Sequence, residues 1–254
     1  MDTDIDVVIG DPDYQEEFWQ QQSLPDDCAI MAQVSLLQQF GVDISEETAV
    51  YECAECGWYM PGCGGTASAD VGNLMELHGV GTHQVVNASI ADLAAELQQG
   101  HGVIVGVRSG ELWESGPGAA LSDWLCENLG LDNSQFNPAD HAVVVTGIDV
   151  SNPDTPQVIL NDSGIPDGQG HAYPLDQFMD AWENSDFFYT ATDSAIPHDD
   201  SVMGDMSLLD MGRWLVGGIA GGAIIGEPGD IMGGMDAAAA LENLFASEDY
   251  MRLV

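Results

Sequence analysis

Cys28 is the residue of this sequence best placed to do chemistry. It follows Pro25, Asp26 and Asp27 directly, and it opens an apolar run with helical spacing. A cysteine at the N-terminus of a helix meets the positive end of the helix dipole, which favours the thiolate. A thiolate is a nucleophile, and acyl transfer by it requires a base and a site for the developing oxyanion. Cys28 is therefore a candidate catalytic nucleophile.

Three further positions could complete such a site. His141 opens a β-branched strand after the polar loop NPAD, where an imidazole could act as the base. The next strand ends in Asn161 and Asp162, and antiparallel pairing could place either one against the far ring nitrogen of His141. Gln22 precedes Cys28 by six positions, and its amide could join the backbone N–H of Cys28 in an oxyanion hole. This chemistry requires no metal and no organic cofactor.

The elements that must position these residues divide the chain into a helical half and a strand-rich half. The first 22 residues are expected to form a short strand or an extended arm. Helices are predicted over 26–41, 45–55, 68–79, 89–100 and 174–183. Strands are predicted over 83–89, 102–108, 141–150, 157–162 and 187–192. Helices that mostly precede the strands indicate an α+β fold, in which the helical half packs on an antiparallel sheet.

The order Gln22, Cys28, His141 and then Asn161 or Asp162 resembles that of the papain-like cysteine peptidases. The segments QSLPDDCAIMAQ, DHAVVVTGID and VILND are similar to the peptidase domains that cut bacteriocin precursors after a double glycine. The resemblance covers roughly residues 14–192. It implies a papain-like α+β fold, a peptide or protein substrate and cleavage after small residues such as Gly-Gly. It also favours Asp162 as the orienting acid, because that family usually has Asp at this position.

Each of these residues also has a purely structural interpretation. Cys28 would suit a buried core, His141 the end of a strand, and Asp162 the turn into SGIPDG. Gln22 is one of three consecutive glutamines, and Ala29 stands where the resembled family often has glycine. A function of another class therefore stays open. The chain would then be a non-catalytic interaction protein that keeps the fold and associates through its C-terminal tail.

A second group of cysteines lies in CAEC at 53–56, with Cys63 beyond it. Three interpretations are open, namely a zinc site, a disulfide within residues 53–63, or free thiols. A structural zinc site needs four ligands at defined spacing, and no fourth ligand stands at a diagnostic interval. Five cysteines in a chain of 254 residues do not indicate a disulfide framework. We therefore expect no bound metal here.

The charge of the chain excludes several classes of partner. There are 43 Asp and Glu against 3 Lys and Arg, which gives a formal net charge of −40. Such a surface repels nucleic acid and anionic membranes, and it is typical of halophilic, salt-adapted proteins. A surface that collects divalent cations is the alternative. No signal peptide and no apolar run of ~20 residues is recognisable, so a cytoplasmic location is favoured.

The composition changes near residue 198, where we place a boundary. Residues 1–198 are expected to form the peptidase domain, and residues 199–254 a Gly-, Met- and Ala-rich extension. Gly218, Gly222 and Gly226 lie four apart, so on a helix they would form a smooth face for close helix packing. This tail is expected to mediate self-association. The alternative is a substrate-like segment, because the tail contains Gly-Gly pairs.

Overall fold

The computed structural model describes residues 7–62, 65–113 and 139–198. The proposed boundary at residue 198, the C-terminal extension, Cys63 and Cys126 lie outside these ranges or at their edge. Seven strands form one antiparallel sheet in the order β2-β7-β3-β4-β5-β6, and β1 pairs with the far end of β4. The strands are β1 Val8–Gly10, β2 Thr82–Val85, β3 Val103–Val107, β4 His141–Asp149, β5 Gln157–Asn161, β6 His171–Pro174 and β7 Tyr189–Thr192.

Helices cover both faces of this sheet. They are α1 Pro12–Gln15, α2 Cys28–Gln39, α3 Glu46–Cys56, α4 Asn73–Leu77, α5 Ile90–Gln98, α6 Ser109–Trp113 and α7 Leu175–Glu183, with 3₁₀ turns at Glu16–Phe18 and Ser68–Asp70. α2, α3 and α4 pack on one face, and α5 and α7 on the other. The α+β prediction with helices on an antiparallel sheet is therefore confirmed.

The central strand β4 explains why the sheet has two buried faces. Its β-branched run alternates, so that Val143 and Val145 join the core with α5 and α7, while Ala142 and Val144 join the core with α2. All four residues are buried. Because β4 begins at His141, the same packing that buries the strand also fixes where the candidate base lies.

One predicted helix is interrupted in the structure. The segment 68–79 forms a 3₁₀ turn and then α4, because Gly72 between them adopts a φ of 110°. A Cβ at this position would lie 2.6 Å from the hydroxyl oxygen of Thr82. Glycine allows both this backbone conformation and the close approach to β2. Thr66, Ser68 and Val71, which precede Gly72, line a cleft together with Cys28, the first residue of α2.

Candidate active site

α2 begins at the candidate nucleophile. Asp27 is its N-cap residue, and the backbone carbonyl of Asp27 accepts hydrogen bonds from the N–H groups of Ile30 and Met31, both at 2.9 Å. Cys28 is half-buried and lines a cleft of about 300 Å³. His141 also lines this cleft. The predicted nucleophile and base thus face the same space, one from a helix N-terminus and the other from a strand N-terminus.

His141 and Asp162 form a buried ion pair at the ends of neighbouring strands. The imidazole Nε2 of His141 lies 2.6 Å from Oδ1 of Asp162. Since Nε2 is occupied in this way, Nδ1 is the ring nitrogen available to the sulfur of Cys28. Burial alone would lower the pKa of His141, but Asp162 and Cys28 raise it to about 10. The arrangement therefore favours an imidazolium beside the sulfur.

The surroundings of Asp162 require a carboxylate. Its Oδ1 also accepts the backbone N–H of Gly164 at 2.8 Å, and its Oδ2 accepts the indole N–H of Trp113 at 2.9 Å. Burial would raise the pKa of Asp162, but the bonds from His141, Trp113 and Gly164 hold it below the usual range. Asp162 is therefore ionised and held in a single orientation at the back of the imidazole.

Asn161 faces away from the imidazole. Its amide nitrogen donates to the backbone carbonyl of Gln15 at 2.8 Å, and its oxygen accepts the N–H of Gly170 at 3.0 Å. Successive side chains of a strand point to opposite faces, so only one of Asn161 and Asp162 can face His141. Of the two candidates that the sequence left open, Asp162 is the one beside His141.

Gln22 lies next to the strand end that carries Asp162. Its backbone N–H donates to the carbonyl of Ser163 at 3.0 Å, and its side-chain oxygen accepts the hydroxyl of Ser163 at 3.0 Å. The amide nitrogen of Gln22 donates to the carbonyl of Leu24 at 2.8 Å. Gln22 is not among the residues that line the cleft. The structure therefore brings Cys28, His141 and Asp162 together and places Gln22 at their edge.

Two residues of the site carried no signal in the sequence. The ring of Trp113 meets His141 edge-on, with 5.1 Å between the ring centroids, while its N–H binds Asp162. A Cβ at Gly164 would lie 2.8 Å from Cε1 and 3.0 Å from Nε2 of His141. Trp113 and Gly164 thus enclose the bond between His141 and Asp162. Gly164 belongs to the predicted turn after Asp162, but only the three-dimensional fold shows why it is glycine.

Two cysteines of the second group lie within the described residues. Cys53 and Cys56 are free thiols, and Cys63 lies outside the described residues. Burial, together with the neighbouring Cys56 and Glu52, raises the pKa of Cys53 to about 12, so it is a neutral core residue. Across residues 7–62, 65–113 and 139–198, no three His, Cys, Asp or Glu side chains are grouped to hold a metal ion.

The family comparison confirms the resemblance to the double-glycine peptidase-like family. The model of the Peptidase_C39 like family matches residues 14–188, so the chain belongs to that family. Uncharacterized proteins of Mycobacterium tuberculosis and Mycobacterium bovis are each 30% identical to it, and the match covers 73% of this chain and 84% of theirs.

Two crystal structures are similar at lower identity. A C39-like peptidase from Bacillus anthracis is 14% identical, with a TM-score of 0.49, and the match covers 70% of this chain and 95% of that one. The peptidase domain of Streptococcus ComA is 15% identical, with a TM-score of 0.44, and the match covers 68% of this chain and 96% of that one. Within the described ranges, no helix is both long enough and apolar enough to cross a membrane.

Proposed function

We propose that this protein is a cysteine peptidase in which Cys28, His141 and Asp162 act as nucleophile, base and orienting acid. The observation that carries this proposal is the buried 2.6 Å contact between His141 and Asp162, with Cys28 lining the same cleft as the imidazole. A histidine used only for packing has no need of both a buried carboxylate and a thiol.

The geometry supports a complete sequence of steps. The Cys28 thiolate attacks the scissile carbonyl, and the imidazolium of His141 protonates the leaving amine, so that a thioester remains on the sulfur. His141 then takes a proton from water as that water attacks the thioester, which releases the carboxylate product and restores the thiolate. Asp162 stays ionised throughout and keeps the imidazole in place.

We propose Gln22 as the side-chain donor to the oxyanion. Ser163 holds the oxygen of the Gln22 amide, so the amide nitrogen faces away from Ser163 and would exchange its bond with the carbonyl of Leu24 for one with substrate. Gln22→Ala should lower kcat/KM by about 100-fold, the usual effect of losing one oxyanion donor. Alkylation of Cys28 by iodoacetamide forms no oxyanion, so its rate should stay unchanged in Gln22→Ala. In the Gln21→Ala control, both kcat/KM and the alkylation rate should stay unchanged. Equal loss in the two variants would contradict this role.

The substrate is proposed to be a peptide or protein segment with small residues, such as Gly-Gly, before the cleaved bond. This preference rests on the double-glycine resemblance of the sequence. A pair of peptide electrophiles, one ending in Gly-Gly and one in Leu-Leu, tests it directly. Faster labelling of Cys28 by the Gly-Gly compound is expected, and faster labelling by the Leu-Leu compound would contradict the preference.

The same labelling tests the function itself. Cys56 is an exposed free thiol in the same chain and serves as an internal reference. A peptidase should react selectively at Cys28, and Cys28→Ala should abolish peptide cleavage. Equal labelling of Cys28 and Cys56 would instead support the non-catalytic interaction protein.

A further inference from the structure

Asp27 is a buried acid that the steps above do not use. Its side chain is fully enclosed, with 0% of the residue exposed, although it stands directly before Cys28. Among the described residues, no N–H or O–H group donates to either of its carboxyl oxygens. It does not even make the usual side-chain bond to the start of α2. An ionised carboxylate without donors is strongly disfavoured in such a place.

Glu46, the first residue of α3, is the acid close to Asp27 that contributes most to raising its pKa. Two carboxyl groups can share a hydrogen bond only when one of them carries a proton. Oε1 of Glu46 already accepts the backbone N–H of Ser23 at 2.7 Å, which favours the ionised form of Glu46. A proton shared by these two carboxyl groups would therefore stay on Asp27, with Glu46 as the charged acceptor.

The charged group next to this pair also favours the protonated form of Asp27. Asp26 is ionised and accepts the hydroxyl of Tyr59 at 2.6 Å, so it adds negative charge beside Asp27. Burial, then Glu46, then Asp26 raise the pKa of Asp27 to about 7. Burial would raise the pKa of Glu46, but Asp27 and the N–H of Ser23 hold it below the usual range.

We propose that Asp27 is a positioning residue, which as a neutral acid donates to Glu46 and joins the N-termini of α2 and α3 behind Cys28. The same carboxylate of Glu46 binds the N–H of Ser23, so one group secures both the helix that carries Cys28 and the segment that leads to it. Loss of the proton would place two anions side by side and break this link. The positioning role rests on the proposed function of Cys28, whereas the protonation of Asp27 does not.

Infrared difference spectra between wild type and Asp27→Asn test the protonation. At about pH 5.5 the wild type should show a carboxylic acid C=O band that Asp27→Asn lacks, and the band should titrate away near about pH 7. Glu47→Gln, an exposed change at the next residue of α3, should leave the band in place. Absence of the band from the wild type would overturn the proposal.

Alkylation of Cys28 at about pH 6 tests the positioning. Asp27→Asn still donates to Glu46 and should react within about twofold of wild type, whereas Asp27→Ala should lose about tenfold or more. Glu46→Ala removes the same bond from the other side and should show the same loss, which covers the case that Asp27→Ala does not fold. Wild-type rates in folded Asp27→Ala or Glu46→Ala would overturn the positioning role. Neither assay needs turnover. If the band and the expected pattern of alkylation rates are both found in a protein that cleaves no peptide, only the proposed function is refuted.

Discussion

The most informative single change at the site is Asp162→Asn. An amide has the shape of the carboxylate but presents an N–H₂ group on one side. In the structure both oxygens of Asp162 face donors, namely His141 and Gly164 at Oδ1 and Trp113 at Oδ2. Whichever way the amide is turned, its N–H₂ group meets one of these donors. The variant therefore loses the charge opposite His141 and at least one of the hydrogen bonds that hold its orientation.

The size of the effect on the pKa of His141 follows from the burial of the pair of His141 and Asp162. Removing one partner of a buried ion pair costs about 3–5 kcal/mol. Taking ~3 kcal/mol at 1.36 kcal/mol per pKa unit gives a fall of about two units in the pKa of His141. The thiolate–imidazolium form should then become about 100-fold less populated relative to the neutral thiol and imidazole. Reactivity of Cys28 at acid pH should fall by a similar factor and return as the pH becomes alkaline.

The assay is the rate of Cys28 alkylation by iodoacetamide, followed by intact mass between about pH 5 and pH 9. Asn161→Ala is the matched control, because it removes hydrogen bonds at the adjacent residue without touching the imidazole. The control should show lower stability but a wild-type pH profile. A wild-type profile in Asp162→Asn would show that the carboxylate contributes nothing to the charge on His141.

Three further predictions concern packing, pH and salt. Gly164→Ala should push the His141 ring aside, slow Cys28 alkylation at acid pH and lower the free energy of unfolding by about 1–3 kcal/mol. Gly110→Ala is the control and should do neither, because no atom lies within 4 Å of the added carbon. In Glu96→Gln the loss of unfolding free energy, about 2 kcal/mol, should be largest between about pH 4.5 and pH 6.5. The pKa of Glu96 is lowered in the fold, so its contribution to the free energy of unfolding disappears as the pH falls. The pKa of His83 is raised, so its contribution disappears as the pH rises. A difference between variant and wild type that does not change with pH would contradict this. The denaturation midpoint should rise from low to molar salt, because screening relieves carboxylate repulsion, and a flat or falling midpoint would indicate neutralisation by bound cations.

Periodicity was sufficient to predict the elements that carry Cys28 and His141, and capping residues marked the start of two other helices. Ser45 and Ser89 begin α3 and α5 as their sequence contexts indicate, each accepting a backbone N–H three residues ahead. The apolar spacing after Cys28 predicted α2, and the β-branched run after His141 predicted β4. These signals are local, and each of these elements is long enough to show its period.

The elements and contacts that the sequence did not reveal depend on tertiary structure. β6 has four residues without alternation, and α6 is a single turn, so neither shows a period. Trp113 reaches Asp162 across 49 positions of sequence, which no local pattern encodes. The choice between Asn161 and Asp162 depended on the pairing of β4 with β5, where a register shift between Val145 and Gly147 adjusts the strand ends.

The near absence of lysine and arginine changes how this fold forms ion pairs. Among residues 7–62, 65–113 and 139–198, histidine faces the carboxylate in the pairs of Glu96 with His83 and of Asp162 with His141, and Arg108 pairs with Glu111. Such a pair carries opposite charges only while its imidazole is protonated, and the pKa values of His83 and His141 are both raised, so the stability of the fold depends on pH through these two residues. Salt screens the exposed carboxylates but reaches a buried pair far less. Molar salt should therefore stabilise the fold while leaving the charge on His141, and with it the reactivity of Cys28, nearly unchanged.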